Sequence, residues 1–126
     1  MQTFQAGEYP AAIEQQGQAL KLRELRSAED FRRAKKKELT VIGIGAPWSA
    51  ACRLQEPIMG EVAHLLGKTA FIAIVNIDQT PEVASSLGIG NIPTLIIFHK
   101  GREVQRFVGL QSEDMLLAAI DRIRRA

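Results

Sequence analysis

Residues 39–57 read LTVIGIGAPWSAACRLQEP, in which an apolar run passes through a proline into a helical pattern. The first eight residues, 39–46, are almost continuously apolar, which is typical of a strand buried on both faces of a sheet. Apolar side chains then recur at helical spacing until Gly67, so a helix is expected directly after the strand. Pro57 lies inside this helix and predicts a kink, because it removes a backbone donor. The stretch therefore predicts the centre of an α/β sheet.

The residues before this stretch predict a strand and a helix. Leucines alternate with charged residues over 20–25, which is typical of a short strand, and Ser27 ends the alternation. Ser27 predicts a helix N-cap, because its hydroxyl can accept a backbone N–H bond while Asp30 reaches back as in a capping box. The helix is expected to reach about Lys37, and the basic run over 32–37 is typical of a solvated helix face.

The residues after Gly67 predict three strands and two helices. A second apolar run predicts another buried strand, and Thr80-Pro81 predicts the start of a short helix, with Thr80 as its N-cap and Pro81 in its first turn. The last two strands are joined so closely that they must form an antiparallel hairpin. A final helix starts at Ser112, with acidic residues in its first turn and arginines in its last. The expected strands are 69–77, 94–98 and 102–108, and the expected apolar stripe of the final helix is Met115, Leu116, Ala119, Ile120 and Ile123.

The predicted element order is β-α-β-α-β-α-β-β-α, which combines parallel crossovers with an edge hairpin. This order predicts an α/β fold with a central mixed sheet of four to five strands and helices on both faces. The chain has 126 residues, of which 46% are apolar, enough to form the core of one domain. We assign residues 19–126 to that domain and the Gln-rich residues 1–18 to an N-terminal extension.

Charge and cysteine content argue against several classes of function. The formal net charge of +2 is too small to indicate a nucleic acid or an anionic membrane as partner. No apolar run approaches the length of a membrane span, and the first ten residues lack the basic and apolar regions of a signal peptide. The single cysteine, Cys52, rules out an intrachain disulfide, and His64 and His99 have no second ligand at metal spacing. We therefore expect a cytoplasmic monomer without metal or cofactor.

Four stretches resemble the thioredoxin family in their order and spacing, over about the last hundred residues. Residues 46–53, with Pro57 five residues after Cys52, resemble the active-site turn and kinked helix of that family. The other three are Asn76-Ile77-Asp78, similar to the end of its third strand, Gly90-Asn91-Ile92-Pro93-Thr94, similar to its cis-proline loop, and Phe98-His99-Lys100-Gly101 with Gly109, similar to its terminal hairpin. The resemblance implies a thioredoxin fold and a protein-disulfide oxidoreductase that works by thiol–disulfide exchange.

Positions 49 and 52 are where such chemistry would take place. A thiol in the first turn of a helix is stabilised as the thiolate by free N–H groups and the helix dipole. A second thiol three residues later lies one turn away and can attack a mixed disulfide. The resemblance places the family's nucleophile at Ser49 and its resolving cysteine at Cys52. Because a hydroxyl has neither the acidity nor the redox chemistry of a thiol, the chain as written is expected to be inactive or trapped.

Each of these positions also has a purely structural interpretation. Serine is among the best N-cap residues, so Ser49 would serve the helix without catalysis, and Cys52 would be a small buried residue with an inert thiol. Gly43 and Ile74 stand where many family members place an Asp and its Lys partner, so deprotonation of Cys52 would need water or another group. The absent side chains at Gly43 and Gly45 indicate a close approach of the helix, and a water channel to Cys52 is the alternative.

The expected substrate surface surrounds position 49. By the same resemblance Pro93 is the cis proline of the family, and Trp48, Ile92, Pro93 and Gly109 form a shallow apolar patch. Such a patch suits the capture of a disulfide-containing or extended polypeptide. A thioredoxin-reductase-like protein would be the electron donor of such an enzyme.

The sequence leaves more than one function open. The leading hypothesis is a protein-disulfide reductase whose nucleophile has become Ser49, by natural loss or by engineering to block turnover. The alternative is a non-enzymatic binding module on the same scaffold, which the losses at Gly43, Ser49 and Ile74 favour. A monothiol enzyme is a poorer hypothesis, because the retained cysteine is the second of the pair rather than the first.

Overall fold

A five-stranded mixed sheet forms the centre of the computed structural model, which describes residues 22–126. Its strands are β1 (Arg23–Glu24), β2 (Leu39–Gly45), β3 (Phe71–Asn76), β4 (Thr94–His99) and β5 (Arg102–Val108). They lie in the order β1-β3-β2-β4-β5, where β2 pairs parallel with β3 and antiparallel with β4, and β5 completes the hairpin. The predicted mixed sheet is therefore confirmed, with five strands. The extension expected over 1–18 lies outside the described residues.

Within residues 22–126, four helices cover the two faces of this sheet, in the predicted element order. They are α1 (Ala28–Lys35), α2 (Ala50–Leu66), α3 (Pro81–Ser86) and α4 (Glu113–Arg125), and a 3-10 turn follows α2 over Gly67–Thr69. Helices α1 and α3 pack on one face, while α2 and α4 pack together on the other. The predicted parallel crossovers therefore place helices on both sides of the central strand β2.

Strand β2 separates two apolar clusters, as expected for a strand buried on both faces. The cluster under α1 and α3 contains Phe31, Ile42, Ile44, Val75, Ile96 and Phe98. The cluster under α2 and α4 contains Val41, Met59, Val62, Leu95, Ile97, Leu116 and Ile120. Since Gly43 and Gly45 alternate with Ile42 and Ile44, both glycines face α2, and the backbone of β2 lies close to that helix.

Three expectations about these elements are corrected by the structure. Helix α1 ends at Lys35, because the last residues of the basic run already turn towards β2. Thr80 precedes α3 but makes no side-chain cap, since its buried hydroxyl donates instead to the Leu25 carbonyl at 3.5 Å. Met115 is 52% exposed, because it lies one position away from the buried stripe that begins at Leu116.

Arg106 connects the exposed edge strand β5 to the end of α3 and forms a charged pair with Glu103 of its own strand. Arg106 donates to both carboxylate oxygens of Glu103, at 2.7 and 2.9 Å, and also to the carbonyl of Leu87 at 2.8 Å. The hydrogen bond from Arg106 lowers the pKa of Glu103 below its ordinary value. Charged side chains of this kind also protect an edge strand from pairing with other chains.

The cap at Ser27 gives a first testable expectation. Its Oγ accepts the N–H of Asp30 at 3.0 Å, while the Asp30 carboxylate accepts the N–H of Arg26 at 3.2 Å. Replacing Ser27 with Ala should lower the free energy of unfolding in urea by about 1 kcal/mol, because the helix start loses its acceptor. Ser85→Ala, at an exposed position of α3, is the control and should change stability by less than about 0.5 kcal/mol. Equal losses for both variants would contradict the capping role.

Candidate functional site

Ser49 lies at the amino end of α2, where the chain leaves β2 through a tight turn. Its backbone is extended (φ −89°, ψ 122°), and its Oγ accepts the N–H of Cys52 at 3.3 Å. The Ser49 N–H donates to the carbonyl of Ala46 at 3.2 Å, which closes the turn. The interpretation of Ser49 as an N-cap is therefore confirmed. The same geometry leaves its side-chain oxygen at the positive end of the helix dipole, where an anion is favoured.

Cys52 lies one turn into α2, with its side chain directed at the sheet. It is a free thiol and only 5% exposed. A Cβ placed on Gly45 would be 2.5 Å from Sγ of Cys52, and one on Gly43 would be 2.6 Å from Sδ of Met59. The predicted close approach of the helix to these glycines is confirmed, because side chains of α2 occupy the space they leave.

Trp48 projects from the turn that precedes Ser49. Its indole is 64% exposed, and its Nε1 donates to the Oδ2 of Asp78 at 2.9 Å. Asp78 is held in turn by its own N–H, which donates to the side chain of Asn76 at 2.9 Å. The carboxyl end of β3 therefore orients the tryptophan through Asp78, a pairing that the sequence analysis did not identify. A Trp–Asp pair of this kind has no helical or strand periodicity that could reveal it.

The loop before β4 forms the opposite side of the site. The Ile92–Pro93 peptide bond is cis, Pro93 is buried, and Ile92 is half-buried. The Pro93 carbonyl accepts the N–H of Gly109 at 2.7 Å, so two of the predicted patch segments are directly bonded. Pro93 and Cys52 line one groove, which we call the Cys52 groove and which Pro47, Arg53 and Gln55 also line.

A buried glutamine is a second feature that the sequence analysis did not identify. Gln55 follows Cys52 by three residues and is 2% exposed. Its side chain exchanges two hydrogen bonds with the backbone of Gln111, at 3.0 and 2.7 Å. The signal available in the sequence was a polar residue on the buried side of α2, in the same stripe as Met59 and Val62.

Four carboxylates also line the Cys52 groove, those of Glu24, Glu56, Glu61 and Glu113. Glu24 of β1 lies in register with Ile74 of β3, which in turn lies in register with Gly43, so all three occupy one row across the sheet. The Oε2 atom of Glu24 is buried and has no hydrogen-bond partner within residues 22–126, while Oε1 lies 4.0 Å from the guanidinium of Arg26. Positions 43 and 74 of this row carry no ionisable group. The row therefore has its ionisable group in the edge strand β1, at Glu24.

The part of the chain that the structure describes contains no group of three metal-ligating side chains. His64 is exposed at the end of α2, and His99 lies 3.4 Å from Glu38 at the far end of β4. Among the same residues, none of the helices has the length and apolar character needed to cross a bilayer.

Comparisons with known proteins agree with this geometry. The family model described as Thioredoxin matches residues 23–122. A thioredoxin of Chlamydia caviae is 37% identical over 95 residues, covering 75% of this chain and 92% of that protein. The thioredoxin structure from Trypanosoma brucei brucei superposes with a TM-score of 0.76 at 26% identity, covering 83% of this chain and 92% of that one. The thioredoxin structure from Fasciola hepatica gives a TM-score of 0.73 at 30% identity, covering 80% and 98%.

These matches span the turn at Ser49, the helix that carries Cys52 and the Pro93 loop, which are the segments that build the site. The chain belongs to the thioredoxin family, a family of thiol–disulfide oxidoreductases.

Proposed function

We propose that this chain is a thioredoxin-type protein-disulfide oxidoreductase in which Ser49 occupies the nucleophile position, so that it binds its polypeptide substrates without turning them over. The observation that carries the proposal is the placement of Ser49 Oγ at the start of α2, 3.3 Å from the N–H of Cys52. A nucleophile at this position would be activated by the first turn of the helix, and the thiol of Cys52 would resolve the mixed disulfide.

The surface around position 49 supports binding of an extended polypeptide. The exposed indole of Trp48 lies on one side, and the bonded pair of Pro93 and Gly109 lies on the other. Val108 and Leu110, which flank Gly109, are 59% and 47% exposed and add apolar area. Exposed apolar side chains beside a groove mark a site of protein interaction. We therefore propose disulfide-containing or extended polypeptides as substrates, and a thioredoxin-reductase-like donor for the active form in the cytoplasm.

Truncation of Trp48 should weaken this binding strongly. Trp48→Ala removes a large side chain that Asp78 holds in a fixed orientation. The truncation therefore removes contact area for the peptide, and it saves little conformational entropy on binding because the indole is already ordered. We expect the affinity for an extended peptide with one exposed disulfide to fall by about tenfold, or about 1.4 kcal/mol. Isothermal titration calorimetry on the parent chain and the variant measures this change directly.

Leu65→Ala is the matched control for this experiment. Leu65 is also an exposed apolar residue, at 55%, but it lies in the last turn of α2, about 22 Å along the helix from residue 50. Its truncation should leave the peptide affinity unchanged. If Leu65→Ala weakens binding as much as Trp48→Ala does, the peptide is not bound at position 49.

A binding module without redox function is the second candidate. It is favoured by the absent side chain at Gly43 and the apolar one at Ile74, because neither position supplies an acid–base group to the thiol of Cys52. Peptide capture under non-reducing conditions separates the two functions. A peptide attached through Cys52 supports residual thiol chemistry, whereas equal noncovalent binding by the parent and by Cys52→Ala supports the module.

A further inference from the structure

Gln55 is a polar side chain in an apolar stripe. It lies between Cys52 and Met59 on the side of α2 that faces the sheet, and it is as buried as they are. Glutamine is among the residues that are mostly exposed in folded proteins, and burying an amide without partners is costly. An apolar residue of similar length would fill the same place without that cost. We therefore expect the hydrogen bonds of this buried amide to have a function.

Both polar groups of the Gln55 amide bind the backbone of a single residue. Its Nε2 donates to the carbonyl of Gln111 at 3.0 Å, and its Oε1 accepts the N–H of Gln111 at 2.7 Å. This is the paired exchange of N–H and C=O bonds that neighbouring residues make in an antiparallel sheet. It joins positions 56 residues apart in the sequence, and it connects α2 to the loop between β5 and α4.

That loop also forms one wall of the surface around position 49. Gly109 donates its N–H to the Pro93 carbonyl at 2.7 Å, and its own carbonyl accepts the side-chain amide of Gln111 at 3.3 Å. Leu110 therefore lies between two residues that are each tied to other elements, Gly109 to the Pro93 loop and Gln111 to Gln55. The backbone on both sides of this exposed leucine is fixed.

We infer that Gln55 is a positioning residue for substrate: through Gln111 it holds the 109–111 loop, and with it Leu110, at the edge of the peptide site. This inference rests on the proposed function, since it concerns the same binding surface. Gln55 reaches the peptide only through the loop. Because the loop is already ordered before the peptide binds, binding loses less conformational entropy, and the affinity for the peptide is higher.

The decisive variant is Gln55→Met. Methionine is unbranched and similar in length to glutamine, so it fills the buried space while removing both hydrogen bonds to Gln111. The affinity for an extended disulfide peptide, measured by calorimetry, should fall by about fivefold, since the loop must then be ordered on binding. In the Ser49→Cys background, KM for that peptide should rise by a similar factor while kcat for a small aromatic disulfide stays unchanged, because a small disulfide does not reach the loop.

Val62→Ala provides the matched control for a loss of stability alone. Val62 lies in the same buried stripe of α2, at 1% exposure, and belongs to the core cluster under α2 and α4. Its truncation leaves a cavity and should lower the thermal midpoint without changing peptide affinity. If Val62→Ala weakens peptide binding as much as Gln55→Met does, the effect of Gln55 is a general loss of stability and the inference fails.

Hydrogen exchange followed by NMR tests the mechanism on the parent chain itself. The N–H of Gln111 should exchange slowly in the parent and at least about tenfold faster in Gln55→Met, since its acceptor is removed. Equal exchange rates, or equal peptide affinities of the parent and Gln55→Met, would overturn the role of Gln55. A parent chain that binds no peptide at all overturns the proposed function instead, so the two failures are distinguishable.

Discussion

Replacing Ser49 with cysteine is expected to raise the rate of protein-disulfide reduction by on the order of 10³-fold or more over the parent chain, whose own rate should equal the background of the assay. The new sulfur would take the place of an oxygen that already faces the first-turn N–H of Cys52 at 3.3 Å. Free N–H groups and the helix dipole lower the pKa of a thiol at such a position, so a larger fraction is present as the thiolate near neutral pH.

The two thiols of the Ser49→Cys variant are the reductant for one substrate disulfide. The thiolate at position 49 attacks one sulfur of the substrate disulfide, which forms a mixed disulfide and expels the other substrate sulfur as a thiolate. The Cys52 thiol loses its proton to water and attacks the sulfur at position 49, which forms the intrachain disulfide and releases the second substrate sulfur as a thiolate. The released thiolates take up protons from the solvent. Two electrons pass to the substrate, and an external dithiol restores the reduced protein for the next cycle.

Thiol titration and a turnover assay with a dithiol reductant measure this result. The oxidised variant should show no free thiol, whereas the parent keeps one. Ser49→Ala is the control: it also removes the hydroxyl cap, at a cost of about 1 kcal/mol in stability, and should remain inactive. A Ser49→Cys variant that retains two free thiols after oxidation and reduces nothing would leave the binding module as the function of this chain.

The local elements of this fold could be predicted because they depend on short patterns. The apolar run of β2, the hairpin of β4 and β5, and the caps at Ser27 and Ser112 each follow from a few neighbouring residues. The placement of Ser49 as N-cap with Cys52 one turn further follows from the same local rules. These parts of the site are visible in the sequence because one helix start carries both residues.

The contacts that join distant parts of the chain could not be predicted from such patterns. The bonds of Gln55 to Gln111 and of Trp48 to Asp78 span 56 and 30 residues, and they depend on how the helices pack on the sheet. Thr80 shows the limit of a local rule, since its hydroxyl binds the Leu25 carbonyl rather than capping α3. The sequence identifies which residues are chemically suitable, and tertiary packing decides which partners they meet.

Adding a single methyl group at Gly45 should destabilise the protein through the thiol of Cys52. The ideal Cβ position on Gly45 lies 2.5 Å from Sγ of Cys52, closer than side-chain atoms can approach, and 3.1 Å from Cβ of Cys52, which is a tight contact. Gly45→Ala must therefore displace a buried side chain in a packed region, and we expect a loss of about 2 kcal/mol in the free energy of unfolding. Urea denaturation followed by the fluorescence of Trp48 measures this loss.

A double-mutant cycle attributes this loss to the sulfur. In the Cys52→Ala background the 2.5 Å contact with Sγ is gone and only the 3.1 Å contact with Cβ remains, so Gly45→Ala should then cost less than about 1 kcal/mol. Gly43→Ala is the matched control on the same strand and the same face. Its Cβ would meet Sδ of Met59 at 2.6 Å, but a flexible thioether can move aside, and its smaller cost should not depend on Cys52.

The same substitution should also separate the two chemical steps when it is combined with Ser49→Cys. The first step needs only the new thiolate at the helix start, which the methyl group on Gly45 does not touch. The second step needs Cys52 Sγ to reach position 49 from its place against Gly45. We therefore expect Gly45→Ala to alter the lifetime of the mixed disulfide with a peptide, trapped by acid quenching, while its rate of formation stays the same. Unchanged lifetimes, together with additive stability losses in the cycle, would show that Cys52 avoids the methyl group by rotating freely, and that the close contact at Gly45 does not position the resolving thiol.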